Sequence, residues 1–170
     1  MTYSLDLDMD GLTRALDLAP AILAQELARW ATEGTLFVQR EIVERTPRGV
    51  GAGAGLAGSI QAEPVQVLGD QVVGVVGTSL SYALPVELGS RPHFPPPQAL
   101  ETWVAEKFNL RGPEEIQATA LAVARKIAHR GTPARHMFRD GLAAAEPELH
   151  EQAAIALDRA LGRIEAEGGR

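Results

Sequence analysis

Apolar positions recur at three- and four-residue steps from Leu23 to Ile42, and this run predicts the longest helix of the chain. Leu23, Leu27, Trp30, Ala31, Gly34, Phe37, Val38 and Ile42 share one face. Arg40 with Glu44, and Glu41 with Arg45, fall on the other as four-apart ion pairs. Pro20 suits the start of this helix, where its missing N–H costs nothing. The end is expected near Arg45, because residues preceding a proline, here Pro47, avoid helical geometry. Ahead of it, the alternation in residues 3–7 predicts a short strand, and Asp8 or Asp10 is placed to cap a separate short helix through Leu18.

Beyond the long helix the pattern changes. Arg48 to Ser59 alternates glycine with small residues, which predicts a mobile loop over 48–59 because so much glycine raises the entropy cost of order. Ser59 to Leu68 and Gln71 to Thr78 are β-rich runs joined at Gly69-Asp70, the pattern of a hairpin, with an edge or bulge at Pro64. Residues 80–97 carry five prolines and are expected to hold little beyond a short turn. Two helices follow. One spans Gln98 to Asn109 with Leu100, Trp103, Val104 and Phe108 inward, and one spans Glu114 to His129 with Ile116, Ala120, Val123, Ala124 and Ile127 inward. From His136 an alanine-rich helical tail is expected to break or bend at Pro147, with Leu149, Ile155, Leu157, Leu161 and Ile164 as its apolar positions and a frayed end at Gly168-Gly169-Arg170.

These elements predict an α+β fold: a long N-terminal helix packed on a small antiparallel sheet, with additional C-terminal helices. A length of 170 residues fits one domain with a hydrophobic core, and the 45% apolar and 22% charged composition is that of a globular chain. The absence of cysteine removes disulfides, thiolate metal sites and cysteine nucleophiles, and agrees with a reducing cytoplasm. The acidic N-terminus lacks the basic and apolar regions of a secretory signal, and no apolar run approaches the roughly 20 residues of a membrane helix. A soluble protein with no membrane partner is expected.

The net charge of −6 argues against general affinity for nucleic acid, which is gained by neutralising phosphates. A local cationic patch at Arg125, Lys126, Arg130, Arg135 and Arg139 keeps a nucleic-acid-associated accessory role as the alternative, beside the simpler reading of a solvated helix face. Gly53, Gly55 and Gly58 spell the letters of a dinucleotide fingerprint, but that motif works between a strand and a helix, and here the order is helix, loop, strand. His93, His129, His136 and His150 lack metal-ligand spacing. Ser59, Ser79 and Ser81 lack the context of a nucleophile elbow. The acidic residues are scattered along helix surfaces. No enzyme, metal or cofactor is expected.

What stands out is the order long helix, glycine-rich loop, hairpin, and then Gly77-Thr-Ser-Leu-Ser-Tyr82-Ala83-Leu-Pro-Val-Glu87-Leu-Gly89-Ser. Together with Gly55-Leu-Ala-Gly-Ser59-Ile60, Pro47, and His136-Met-Phe138, this resembles the tail-completion and head–tail joining proteins of long-tailed bacteriophages, over roughly residues 5–165. Two departures are Ala54, where the family has threonine, and a helical insertion at about 97–131 that short members lack.

The resemblance implies a structural virion protein: a homo-oligomeric ring, often a hexamer, at the head-proximal end of the tail. There it contacts the tail tube protein and the head-completion or connector protein, after assembly in the host cytoplasm. DNA passes through the lumen without specific binding, and an acidic subunit suits that passage. Assembly contacts are expected in the loop, at Gly49, Gly51, Gly53, Gly55 and Gly58, and around Tyr82, Glu87, Gly89 and His93. For Tyr82, Glu87 and Gly89 fold-holding explanations also exist: a surface hydroxyl over the core, a turn cap or a pair with Arg91, and a positive φ.

Overall fold

The structure is a computed structural model that describes residues 9–47, 55–69 and 71–168. The expected strand at residues 3–7, the Asp8 cap, most of the glycine-rich loop, Asp70 and the last two residues lie outside these. The fold is α+β, with a long N-terminal helix, a small antiparallel strand region and C-terminal helices, as the sequence pattern predicts.

Helix α1 runs unbroken from Met9 to Arg45. The expected division into two helices before Pro20 does not occur. Pro20 lies inside α1 at an exposed position, so the carbonyl it leaves without a donor is on the solvent side and the helix tolerates the loss. The end is where Pro47 predicts it: Thr46 is buried, and its Oγ1 donates to the Ile42 carbonyl at 2.7 Å. Glu41 pairs with Arg45 at 2.8 Å as expected, whereas Arg40 approaches Glu41 at 3.6 Å.

After α1 come α2 (Gly55–Ser59), β1 (Gln61–Ala62), β2 (Gln66–Leu68), β3 (Gln71–Val73), β4 (Val76–Gly77), α3 (Ala83–Leu88), α4 (Gln98–Lys107), α5 (Pro113–Arg130) and α6 (Met137–Gly168). The hairpin is present. β2 and β3 pair antiparallel with Leu68 opposite Gln71, and β1 pairs with β4. The ladder is interrupted around Pro64, where a donor is missing. Two expectations are corrected here. Gly55–Ser59 is a helical turn instead of loop, held by Leu56, which is buried. The proline-rich connection contains α3, because Pro85 falls in its first turn, where no intrahelical partner for an N–H exists.

The chain forms two compact units. The first draws on α1 as far as Phe37, on Ala62–Val75 and on α6 from Ala145. In it Ile22, Ala31, Ala156 and Ala160 are buried, Glu26 meets Arg163 at 2.9 Å, and the Trp30 indole N–H donates to the Leu149 carbonyl at 3.0 Å. Gly74 is packed against the Thr35 side chain, which seats the hairpin on α1.

The second unit draws on the rest of α1, on α2, Gln61 and Val76–Ala144. Val38, Ile42, Leu56, Ile60, Ala83, Val104, Ala120, Ala124 and Met137 are buried in it. Gln39 Nε2 donates to the Ile60 carbonyl at 2.9 Å, and α4 packs on α5. Pro113 opens α5 at its first position, as its fixed φ favours.

Several apolar side chains expected inside are exposed. Leu23 yields its place to Ile22 and Glu26, and Trp103 and Phe108 form an edge-to-face pair at the surface with centroids 6.1 Å apart. α6 is continuous through the exposed Pro147, and it buries Ala145, Ala156 and Ala160 while Ile155, Leu157 and Leu161 face out. Small residues allow the close helix approach that a leucine seam would prevent.

Candidate functional site

The segment from Tyr82 to Gly89 separates into an inward and an outward set of groups. α3 begins after Tyr82 and buries Ala83. Its last turn is tied to the start of α6 by backbone and side chain together. The N–H of Arg135 donates to the Val86 carbonyl and that of His136 to the Glu87 carbonyl, each at 3.0 Å. The Glu87 carboxylate then accepts the N–H of Phe138 at 2.9 Å on Oε2 and that of Arg139 at 3.1 Å on Oε1. These are first-turn donors of α6, which no carbonyl of that helix can reach, and a negative charge there also suits the helix dipole. Glu87 thus caps a helix far along the chain, and no ion pair with Arg91 is present.

Gly89 ends α3 with φ 74°. A Cβ there would stand 2.6 Å from the Thr132 carbonyl oxygen and 2.8 Å from the Ala134 nitrogen, so both the conformation and the space require glycine. One residue on, Ser90 pairs with Thr132 as an antiparallel bridge, and the two hydroxyls lie 2.9 Å apart. The preceding Gly77-Thr78 is fixed in the same manner: the Thr78 and Ser59 hydroxyls share a hydrogen bond of 2.7 Å, and Ser59 donates to the Leu56 carbonyl.

The outward set is apolar. Tyr82, Leu84 and Leu88 are 48%, 65% and 62% exposed, with Leu84 and Leu88 one turn apart on α3. His93 is exposed as well, and its Nδ1 lies 2.9 Å from the Arg91 carbonyl. Gly55 and Gly58 belong to α2, whereas Gly49, Gly51 and Gly53 lie outside the described residues. The structure therefore brings Glu87 and Gly89 together with the start of α6. The sequence does not single out Leu84 and Leu88, because the prolines of residues 80–97 predict a connection with little regular structure and hence no helix face.

Charge at this site is arranged by neighbours. Arg139 Nε donates to Asp140 Oδ1 at 2.8 Å, and this bond holds the Asp140 carboxyl below the ordinary aspartate value while raising that of Arg139. Among the described residues no group of three or more His, Asp or Glu side chains is placed to hold a metal ion. No described helix is long and apolar enough to cross a membrane.

Residues 10–89 match the family model HK97-gp10_like, described as "Bacteriophage HK97-gp10, putative tail-component". This is a phage tail component family. The match runs from the first turn of α1 to Gly89, the residue that closes α3. It takes in the long helix, the hairpin and the Tyr82–Gly89 segment on which the resemblance rests. His136-Met-Phe138, also part of that resemblance, lie beyond it, as do α4, α5 and α6. The match covers residues 10–89 of the 170, and over that stretch the chain is similar to a family described as a tail component. Neither the curated proteins nor the solved structures contain a match to the chain.

Proposed function

We propose that this chain is a tail component, a ring subunit of the tail-completion or terminator type. The ring, hexameric on this reading, sits at the head-proximal end of the tail and joins the tail tube protein to the head-completion or connector protein. DNA passes through its lumen without specific binding. The observation that carries the reading is the two-sidedness of the Tyr82–Gly89 segment: Glu87 and Gly89 lock it to the fold, and Tyr82, Leu84 and Leu88 stand out as a rigidly held apolar face. Contiguous exposed apolar side chains on a soluble chain mark contact surfaces. A ring needs such a surface to meet a different one on the next subunit.

The test is sedimentation of the purified chain alone and with the tail tube protein, followed by electron microscopy of any assembled species. Closed rings seated on tube ends are expected. A chain that remains monomeric under both conditions contradicts the proposal.

A second reading, a nucleic-acid accessory role for the Arg125–Arg139 region, draws on the exposure of Arg125, Lys126, Arg130 and Arg135. Arg139 is already engaged by Asp140. Salt-dependent binding of duplex DNA at physiological ionic strength is the result that would promote this reading.

A further inference from the structure

In the first compact unit, α1 and α6 enclose a pocket of about 190 Å³. Its walls are Trp30 and Phe37 from α1 and Leu149 from α6, with Glu33, Glu148 and Gln152 among its lining residues. The volume equals roughly six waters at about 30 Å³ each, room for one long side chain. It lies below the roughly 300–1,000 Å³ of pockets that take small organic ligands. The lining is fixed. The Trp30 indole is oriented by its bond to the Leu149 carbonyl, and the lack of a side chain at Gly34 leaves the space that Leu149 Cδ2 occupies.

The chemistry of the lining selects a cation. Glu33 accepts one bond from Arg29 at 3.1 Å and Glu148 one from Gln152 at 2.9 Å, which leaves each carboxylate with further acceptor sites. Two carboxylates beside two aromatic side chains suit an arginine or lysine, whose stem packs on apolar surface while its charged head meets the acids. The same chain supplies the complementary surface. In the second compact unit, the last turns of α5 expose Arg125, Lys126 and Arg130, and none of the three has an anionic partner among the described residues.

We infer that the Trp30–Glu33–Glu148 pocket receives an Arg125, Lys126 or Arg130 side chain from a second copy of this chain, making a heterologous contact of α5 on one subunit with the α1–α6 pocket of the next. This inference rests on the ring reading, and it assigns one subunit contact of that ring. A pocket and a patch that differ in charge can be met in turn by successive copies, as head-to-tail growth requires, and species larger than a dimer separate that growth from a reciprocal two-fold pair.

The experiment uses two full-length variants, Glu33→Gln/Glu148→Gln and Arg125→Gln/Lys126→Gln/Arg130→Gln, which remove charge without creating a reversed pair, each checked by thermal melting. The α5 positions and Glu33 are exposed, so folding is expected to be retained. Sedimentation velocity is then run on wild type, on each variant and on their equimolar mixture.

Wild type is expected to assemble and each variant alone to lose assembly at least tenfold in apparent affinity. The mixture should stop at dimers, because one intact pocket and one intact patch remain between the two. Variants that assemble like wild type overturn this contact while leaving the ring reading in place. A wild type that never assembles, alone or with the tail tube protein, overturns both. Should the α5 variant lose DNA binding and keep assembly, the patch serves nucleic acid and the inferred contact is wrong. As a second measurement, Gln152→Cys and Lys126→Cys chains, mixed and oxidised, should cross-link to each other in a chain otherwise without cysteine. No cross-link under conditions where wild type assembles counts against the contact.

Discussion

Gly141 of α6 lies directly against Ile42 of α1. A Cβ built on Gly141 would stand 2.7 Å from Ile42 Cγ1, 2.8 Å from its Cα and 2.9 Å from its nitrogen. Ile42 is itself almost fully buried, and its carbonyl accepts the Thr46 hydroxyl that closes α1. The close approach thus fixes how α1 ends and how α6 begins within the second unit.

Gly141→Ala should therefore destabilise the chain although alanine is the better helix former. Relief of the glycine penalty is worth about 0.5–1 kcal/mol, whereas forcing a methyl into a packed backbone contact costs about 1–3 kcal/mol. Urea denaturation is expected to show a net loss, and a larger one for Gly141→Val. An alanine variant as stable as wild type would mean that the helices separate easily at this point.

Much of this packing was legible in the sequence, and the part that was not has a common cause. The long helix, its end before Pro47, the hairpin register around Gly69 and the α4–α5 pair follow from periodicity and turn chemistry, which are local. The seam along α6 does not. Hydropathy points to Leu157 and Leu161, yet Ala156 and Ala160 are the buried residues, because helices that touch closely need small side chains more than greasy ones. Pro20 and Pro147 do not end their helices, and both are exposed, so water can meet the carbonyl that each leaves without a donor. The cap that Glu87 places on Phe138 spans 51 positions, a pairing that spacing alone does not disclose.

That cap leads to a second prediction. Glu87→Ala leaves the N–H groups of Phe138 and Arg139 without acceptors at a half-buried helix start, and should cost about 1–2 kcal/mol. Glu87→Gln keeps an acceptor oxygen and should recover part of this. Guanidinium melts of the two variants give the comparison, and equal losses would show that the charge, not the hydrogen bonding, dominates.

The turn at Gly55–Ser59 bears on where the glycine-rich segment can be shortened. Leu56 is buried and Ser59 bonds both Leu56 and Thr78, so deletion through Gly58 would remove core. Leu56→Ala is expected to cost about 2–4 kcal/mol by the usual cavity and transfer terms. Removal of residues 49–54 should leave the melting temperature of the isolated chain unchanged and lower its assembly. A collapse of stability on that shorter deletion would remove the loop from the list of assembly contacts.

Acid sensitivity follows from Asp140. Its carboxyl is held below the ordinary aspartate value by the hydrogen bond from Arg139, with Arg139, His136 and Arg45 adding charge attraction. A depressed folded-state value means that the contribution is intact above the ordinary aspartate range and is lost as pH falls through the lowered value. Asp140→Asn should accordingly narrow the stability difference between neutral and acid pH, by a small amount because the pair is exposed and screened. Melting curves across pH 2–7 for both chains would reveal it. An unchanged acid limb would assign the acid loss to other carboxylates.

The apolar face of α3 gives the prediction that separates assembly from folding. Leu84 and Leu88 are more than half exposed in the chain alone, so Leu84→Ser and Leu88→Ser remove little buried surface. Exposed substitutions of this kind usually stay within about 0.5 kcal/mol of wild type, and seryl variants should melt accordingly. If α3 meets a partner protein, as the proposed function requires, the same side chains are desolvated on assembly, and losing both should weaken the contact far more than it weakens the fold. Each buried leucine contributes about 1.5–3 kcal/mol, or more than tenfold in affinity. The combined variant is therefore expected to fold normally and to fail in ring formation or in tail joining. A combined variant that folds and still assembles at wild-type concentration would place the working surface elsewhere. One that unfolds would mean that α3 is held by these leucines instead of by Glu87 and Gly89.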